Sequence, residues 1–72
     1  MVNLDNLFSR MAEHGFNYVS LSKATGISTG NIGDWKKGRS APSASALIVL
    51  ADCLDCSIDY LLGRTENPEV NR

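Results

Sequence analysis

The chain has 72 residues, 43% of them hydrophobic and 21% charged, with a formal net charge of -1. That length holds one domain, excludes a multi-domain enzyme, and is too apolar and too nearly neutral for a disordered chain. The longest apolar stretch, from Ala44 to Ala51, falls far short of the roughly 18 residues of a membrane span, so no membrane association is expected. No basic-then-apolar leader opens the sequence, which makes a cytoplasmic protein the expectation.

In chain order, every periodic segment reads as helix, and no strand-like alternation persists. Leu4, Leu7, Phe8 and Met11 repeat at helical spacing on one face, with Asn3 as cap and Gly15 as stop. Asn17 caps a second helix, in which Val19, Leu21 and Ala24 are expected to supply the apolar contacts. Thr25-Gly26-Ile27-Ser28 is a very short connection, in which Gly26 can turn the chain and Ile27 can plug the crease between helices. Ser28 caps a third helix with Ile32 and Trp35 toward the core, ended by Gly38. Pro42 or Ser43 opens a fourth helix carrying Ala46, Leu47, Leu50, Ala51 and Leu54. Ser57 caps a short fifth, with Ile58, Leu61 and Leu62 before Gly63. The fold class is therefore all-α, a compact five-helix bundle over residues 1–65 with a short polar tail, 66–72, expected to fray.

Charge is unevenly spread. Residues 1–22 balance to -1, residues 23–39 to +3 and residues 40–72 to -3. A local basic patch, not the net charge, sets the potential that a polyanion meets, and the middle third supplies one. Cys53 and Cys56 form the only Cys-x-x-Cys, and the sole histidine, His14, is distant in sequence. Four zinc ligands and a βαβ redox context are both missing, so the cysteines read as small core residues and no metal or cofactor is expected. Nor is there a Ser/His/Asp grouping or a phosphate loop, so an enzyme is not expected.

The second and third helices, joined by the glycine turn, present a helix start outward. The exposed positions of the third helix are Thr29, Gly30, Asn31, Gly33, Asp34, Lys36 and Lys37: small or polar groups first, cations last. An α-helix fits the major groove, and the N–H groups at a helix start bind phosphate oxygens. Two helical glycines forfeit about 1 kcal/mol each in propensity, which on an exposed face points to close approach by a partner.

Phe16 to Arg64 resembles the Cro/repressor-type helix-turn-helix family, also called the XRE family. The matching residues are Leu21 through Ser28, then Ile32, Trp35, Gly38, Pro42, Leu47, Leu50-Ala51, Leu54 and Ser57 through Gly63. The resemblance implies a lambda-repressor-like domain that binds double-stranded operator DNA as a two-fold dimer. Carried over position by position, it places Asn17 and Tyr18 at a phosphate at the start of the second helix. Ser28, Thr29, Gly30 and Asn31 open the recognition helix, Gly33 and Asp34 follow one turn on, and Lys37 and Arg39 fall at the DNA backbone. Three positions depart from the family. Tyr18 stands where many relatives have Gln, Gly30 where many have Gln or Arg, and Met11 with Lys36 where many pair an Arg with a Glu.

The function expected is a sequence-specific DNA-binding transcriptional regulator, a repressor that occupies an inverted-repeat operator. A weak homodimer is expected, using apolar surface from Tyr60, Leu61 and Leu62 on the last helix. Asp34, the only acid of the basic third, is expected to accept from cytosine N4 at one base pair, or else to pair with Lys36 or Lys37. A protein-interaction module on the same fold, such as an antirepressor or antitoxin-like binder with a regulatory protein partner, stays open as the alternative.

Overall fold

Serine and asparagine caps divide the chain into its elements. In the computed structural model, which describes residues 4–69, the helices are α1 (Asp5–Glu13), α2 (Tyr18–Thr25), α3 (Thr29–Lys37), α4 (Ala44–Leu54) and α5 (Ile58–Leu61). Ser43 and Ser57 accept from Ala46 N and Tyr60 N, at 3.2 and 3.0 Å, and so cap α4 and α5. The N-cap of α1 is Leu4, with no side-chain cap bond; Asn3, the cap expected there, lies outside the described residues. At the far end of α4, Asp55 takes the left-handed conformation, with φ 50°.

The core is built from Leu7, Met11, Leu21, Ile32, Trp35, Leu50, Leu54, Cys56 and Leu61, with Leu4 and Ala51 at its margin. Helix α2 packs on α3 and α4, while α5 packs on α1 and α4. The α2–α3 pair is therefore carried on a platform made by the other three helices. Of the apolar residues expected inward on α2, Leu21 is buried but Val19 is 56% exposed and Ala24 is exposed too. A helix of eight residues that touches neighbours on one side buries only a narrow stripe.

Leu61, expected at a self-contact, is completely buried, and Tyr60 and Leu62 are half-buried against the core. Among the described residues, the large exposed apolar side chains of the last third are instead Ile48 and Val49 on α4. Short α5 has to give its best side chain to the core, because it closes the bundle against α1. Arg10 ties that closure: its Nε donates to Leu54 O and its Nη2 to Asp55 O, both at 3.0 Å. Within the tail expected to fray, Pro68 O accepts from Ser57 N at 2.9 Å; residues 70–72 lie outside the described residues. No helix among the described residues is long and apolar enough to cross a membrane.

Candidate nucleic-acid interface

The turn between α2 and α3 is wired by side chains. Thr25 Oγ1 donates to Leu21 O at 2.8 Å and accepts from Ile27 N at 3.2 Å. Gly26 sits at φ 77°, a left-handed conformation in which a Cβ would crowd its own backbone, and its N–H closes α2 on Ser22 O. Ile27 then packs against the core from between the helices, as expected. Ser28 Oγ accepts from Asn31 N at 3.1 Å, so α3 begins one residue later. The two helices are thus fixed by local chemistry on both sides of one three-residue connection.

The 3.6-residue period sorts the faces of α3. Ile32 and Trp35 point into the core. The direction opposite them belongs to Gly30, Gly33, Asp34 and Lys37, spaced i, i+3, i+4 and i+7. An added Cβ at Gly33 would meet no heavy atom within 4 Å, and one at Gly30 would meet only Ser28 Oγ at 3.9 Å. No described residue requires glycine at either place. The outward stripe is flat over its first turn and charged after it. Thr29 and Asn31 flank it, both exposed.

Asn17 is bound into a capping box: its Oδ1 accepts from Ser20 N at 2.8 Å, and Ser20 Oγ accepts from Asn17 N at 2.9 Å. That leaves the Asn17 amide hydrogens as its donors toward a phosphate. Tyr18 is half-buried, with its ring tilted against Phe8 at a centroid separation of 6.3 Å. Lys36 Nζ lies 4.9 Å from the centroid of the same Phe8 ring. One aromatic of α1 therefore holds a residue of α2 and a cation of α3, in a chain whose Met11 and Lys36 stand where many relatives pair an Arg with a Glu. Neither contact was legible in the sequence, because both join residues with no shared local spacing.

The cations differ in their commitments. Lys37 is exposed at the far end of the stripe. Arg39, beyond the helix end, has a side chain 67% exposed and lies with Nη1 3.7 Å from Asp34 Oδ1. The partner of Asp34 is thus Arg39 and not Lys36 or Lys37. Gly38 turns the chain back, so a residue five positions on reaches the carboxylate. Cys53 and Cys56 are half-buried and buried respectively, and burial pushes both thiols above the ordinary cysteine range. For Cys56 the nearby Arg10 charge pulls the other way, and Asp55 adds to the rise. His14 is exposed at the end of α1.

A flat helix face, a serine-capped start, a glycine turn and flanking cations define a helix-turn-helix DNA-binding domain. The chain matches the profile of the Cro/C1-type HTH DNA-binding domain over residues 6–67, and it belongs to that family. The family is one of DNA-binding regulators and not of enzymes. Among curated proteins it is similar to an uncharacterised HTH-type transcriptional regulator, YobD, of Bacillus subtilis (strain 168), at 30% identity over 56 residues. That match takes in 78% of this chain, which spans about 50% of the relative's length. Among solved structures, the fold is similar to the P22 c2 repressor, crystallised with a synthetic operator in the presence of Tl+. The TM-score is 0.78 at 26% identity, over 90% of this chain and 98% of that one.

Proposed function

We propose that this domain is a sequence-specific repressor that occupies an inverted-repeat operator in the cytoplasm, with α3 in the major groove. The observation that carries the reading is the outward stripe of α3, two glycines that the protein's own packing does not need followed by Asp34 and Lys37. A face without side chains lets a helix approach base edges closely, and the helix start adds N–H donors for phosphate. Asn17 and Tyr18 reach a phosphate from the start of α2, and Lys37 and Arg39 reach the backbone beyond α3. Ser28, Thr29, Gly30, Asn31, Gly33 and Asp34 lie toward the bases. The solved relative, the P22 c2 repressor, was crystallised on an operator, which supports the same use of the fold.

Two copies bind the two half-sites. The molecule measures 30 × 25 × 21 Å, so copies side by side on one duplex face suit half-site centres roughly 34–36 Å apart. The self-contact falls on α4, where Ile48 and Val49 are 54% and 39% exposed, and not on Leu61. Ile48 also lines an open cleft of about 310 Å³ with Ala51, Asp52 and Ile58. A two-fold contact there places like acids across from each other, so self-association is weak. The cleft equally gives the protein-interaction reading its surface.

Selection from a random duplex library, followed by titration at several salt concentrations, tests the proposal. The expected result is an inverted repeat bound by two copies, with affinity falling steeply as salt rises. Tight binding of one copy to an isolated half-site refutes the dimer. Salt-insensitive behaviour, or no enrichment, refutes the DNA reading in favour of a protein-binding module.

A further inference from the structure

Two helices end in one six-residue pattern, Asp34-Trp35-Lys36-Lys37-Gly38-Arg39 and Asp59-Tyr60-Leu61-Leu62-Gly63-Arg64. The two turns share a glycine conformation and two backbone bonds. Each glycine sits at φ 76°. Each arginine N–H donates to the aspartate carbonyl, at 2.8 Å for Arg39 and 2.9 Å for Arg64. Each glycine N–H donates to the next carbonyl, at 3.2 Å to Trp35 and 3.1 Å to Tyr60. Such paired bonds define a Schellman turn, which brings the residue after the glycine over the one five positions earlier. An apolar contact commonly joins those two positions. Here an ion pair does so, at 3.7 Å for Asp34–Arg39 and 4.0 Å for Asp59–Arg64.

The copies differ in what surrounds them. Asp59–Arg64 closes α5, which packs on α1 and α4 within the acidic last third. Asp34–Arg39 closes the helix whose outward stripe includes Asp34 itself. We propose that Asp34 masks Arg39: in the free protein the carboxylate neutralises the guanidinium, and DNA binding transfers that guanidinium to a phosphate. The inference rests on the DNA-binding reading above and deepens it. Exposed ion pairs are weak and screened, so the exchange is easy, and phosphate offers Arg a bidentate partner. Releasing Arg39 from Asp34 costs the same on every base sequence, which lowers binding to random DNA and operator alike and leaves discrimination to other contacts.

The experiment compares Asp34→Asn with Asp59→Asn, which loses the same cap pair away from α2 and α3. Both variants, wild type, Arg39→Ala and the double variant Asp34→Asn/Arg39→Ala are titrated against the selected operator and random duplex across a salt series. Masking predicts that Asp34→Asn binds both DNAs up to about 5-fold tighter, because the variant no longer gives up an exposed ion pair on binding. Its slope of log affinity against log salt steepens by up to about 0.9, and the ranking of single-base operator variants stays as in wild type. Asp59→Asn, whose side chain also lines the α4 cleft, melts like Asp34→Asn but keeps the wild-type affinity and salt slope on random duplex, and in the Arg39→Ala background the gain from Asp34→Asn shrinks toward none. Unchanged affinity and slope in Asp34→Asn overturn the proposal. So does the same gain with and without Arg39, or a changed ranking at one base pair, which would make Asp34 a reader of cytosine. Wild type without salt-dependent DNA binding overturns the functional reading, and the masking proposal with it.

Discussion

Gly33→Ala should make the protein more stable and a worse DNA binder. Gly33 lies inside α3, and a methyl group there meets no heavy atom of the other described residues within 4 Å. Packing therefore neither resists nor rewards the substitution, and the helix propensity difference remains. Alanine in a helix interior is favoured over glycine by about 0.8–1.0 kcal/mol. For a domain of 72 residues that raises the melting temperature by roughly 4–8 °C per kcal/mol. On DNA the same methyl stands on the face that approaches the bases, beside Gly30 and Asp34. Forcing one carbon into a packed contact costs about 1–3 kcal/mol, so operator affinity should fall about 5-fold or more. Circular dichroism melts and anisotropy titrations in one buffer read both quantities. Higher stability with unchanged affinity would refute the close approach of α3 to DNA. A lower melting temperature would refute the claim that the fold does not need this glycine.

Lys37→Ala should weaken all duplexes about equally and make the salt slope shallower by about 0.9, with base ranking kept; a changed ranking counts against a backbone contact. Arg10→Met should lose about 2 kcal/mol, because a largely buried guanidinium leaves two carbonyls at the end of α4. Glu13→Ala, which removes only the exposed end of the same network, should lose under about 0.5 kcal/mol. Urea midpoints distinguish the two, and equal shifts would refute the assignment. The raised thiol values of Cys53 and Cys56 mean that the unfolded chain ionises first. Stability from this source is intact below a pH of about 8.5 and declines as pH rises past it. Alkylation at pH 8 followed by mass spectrometry should find Cys56 modified only as fast as the protein unfolds.

The element boundaries were legible in the sequence because they rest on contacts a few residues apart. Asn17, Ser28, Ser43 and Ser57 each bond a backbone N–H three positions on, and the core stripe of α3 and α4 follows the helical period. The family is legible for the same reason, since its turn and caps are local. The outward stripe of α3 follows from periodicity too, although that its glycines are unneeded by the fold could be read only from the space around them. The Asp34–Arg39 pair is also local, but helical spacing directs attention to Lys37, and the pair exists only because Gly38 reverses the chain. What tertiary structure alone decided involves residues far apart in the chain. Arg10 reaches carbonyls 44 and 45 positions away, and Phe8 gathers Tyr18 and Lys36 from two other helices. Val19 and Ile48 are exposed although both are strongly apolar, whereas Leu61 is wholly buried. An apolar pattern states how much surface a helix would bury, but which neighbour covers it depends on how five short helices share one small core.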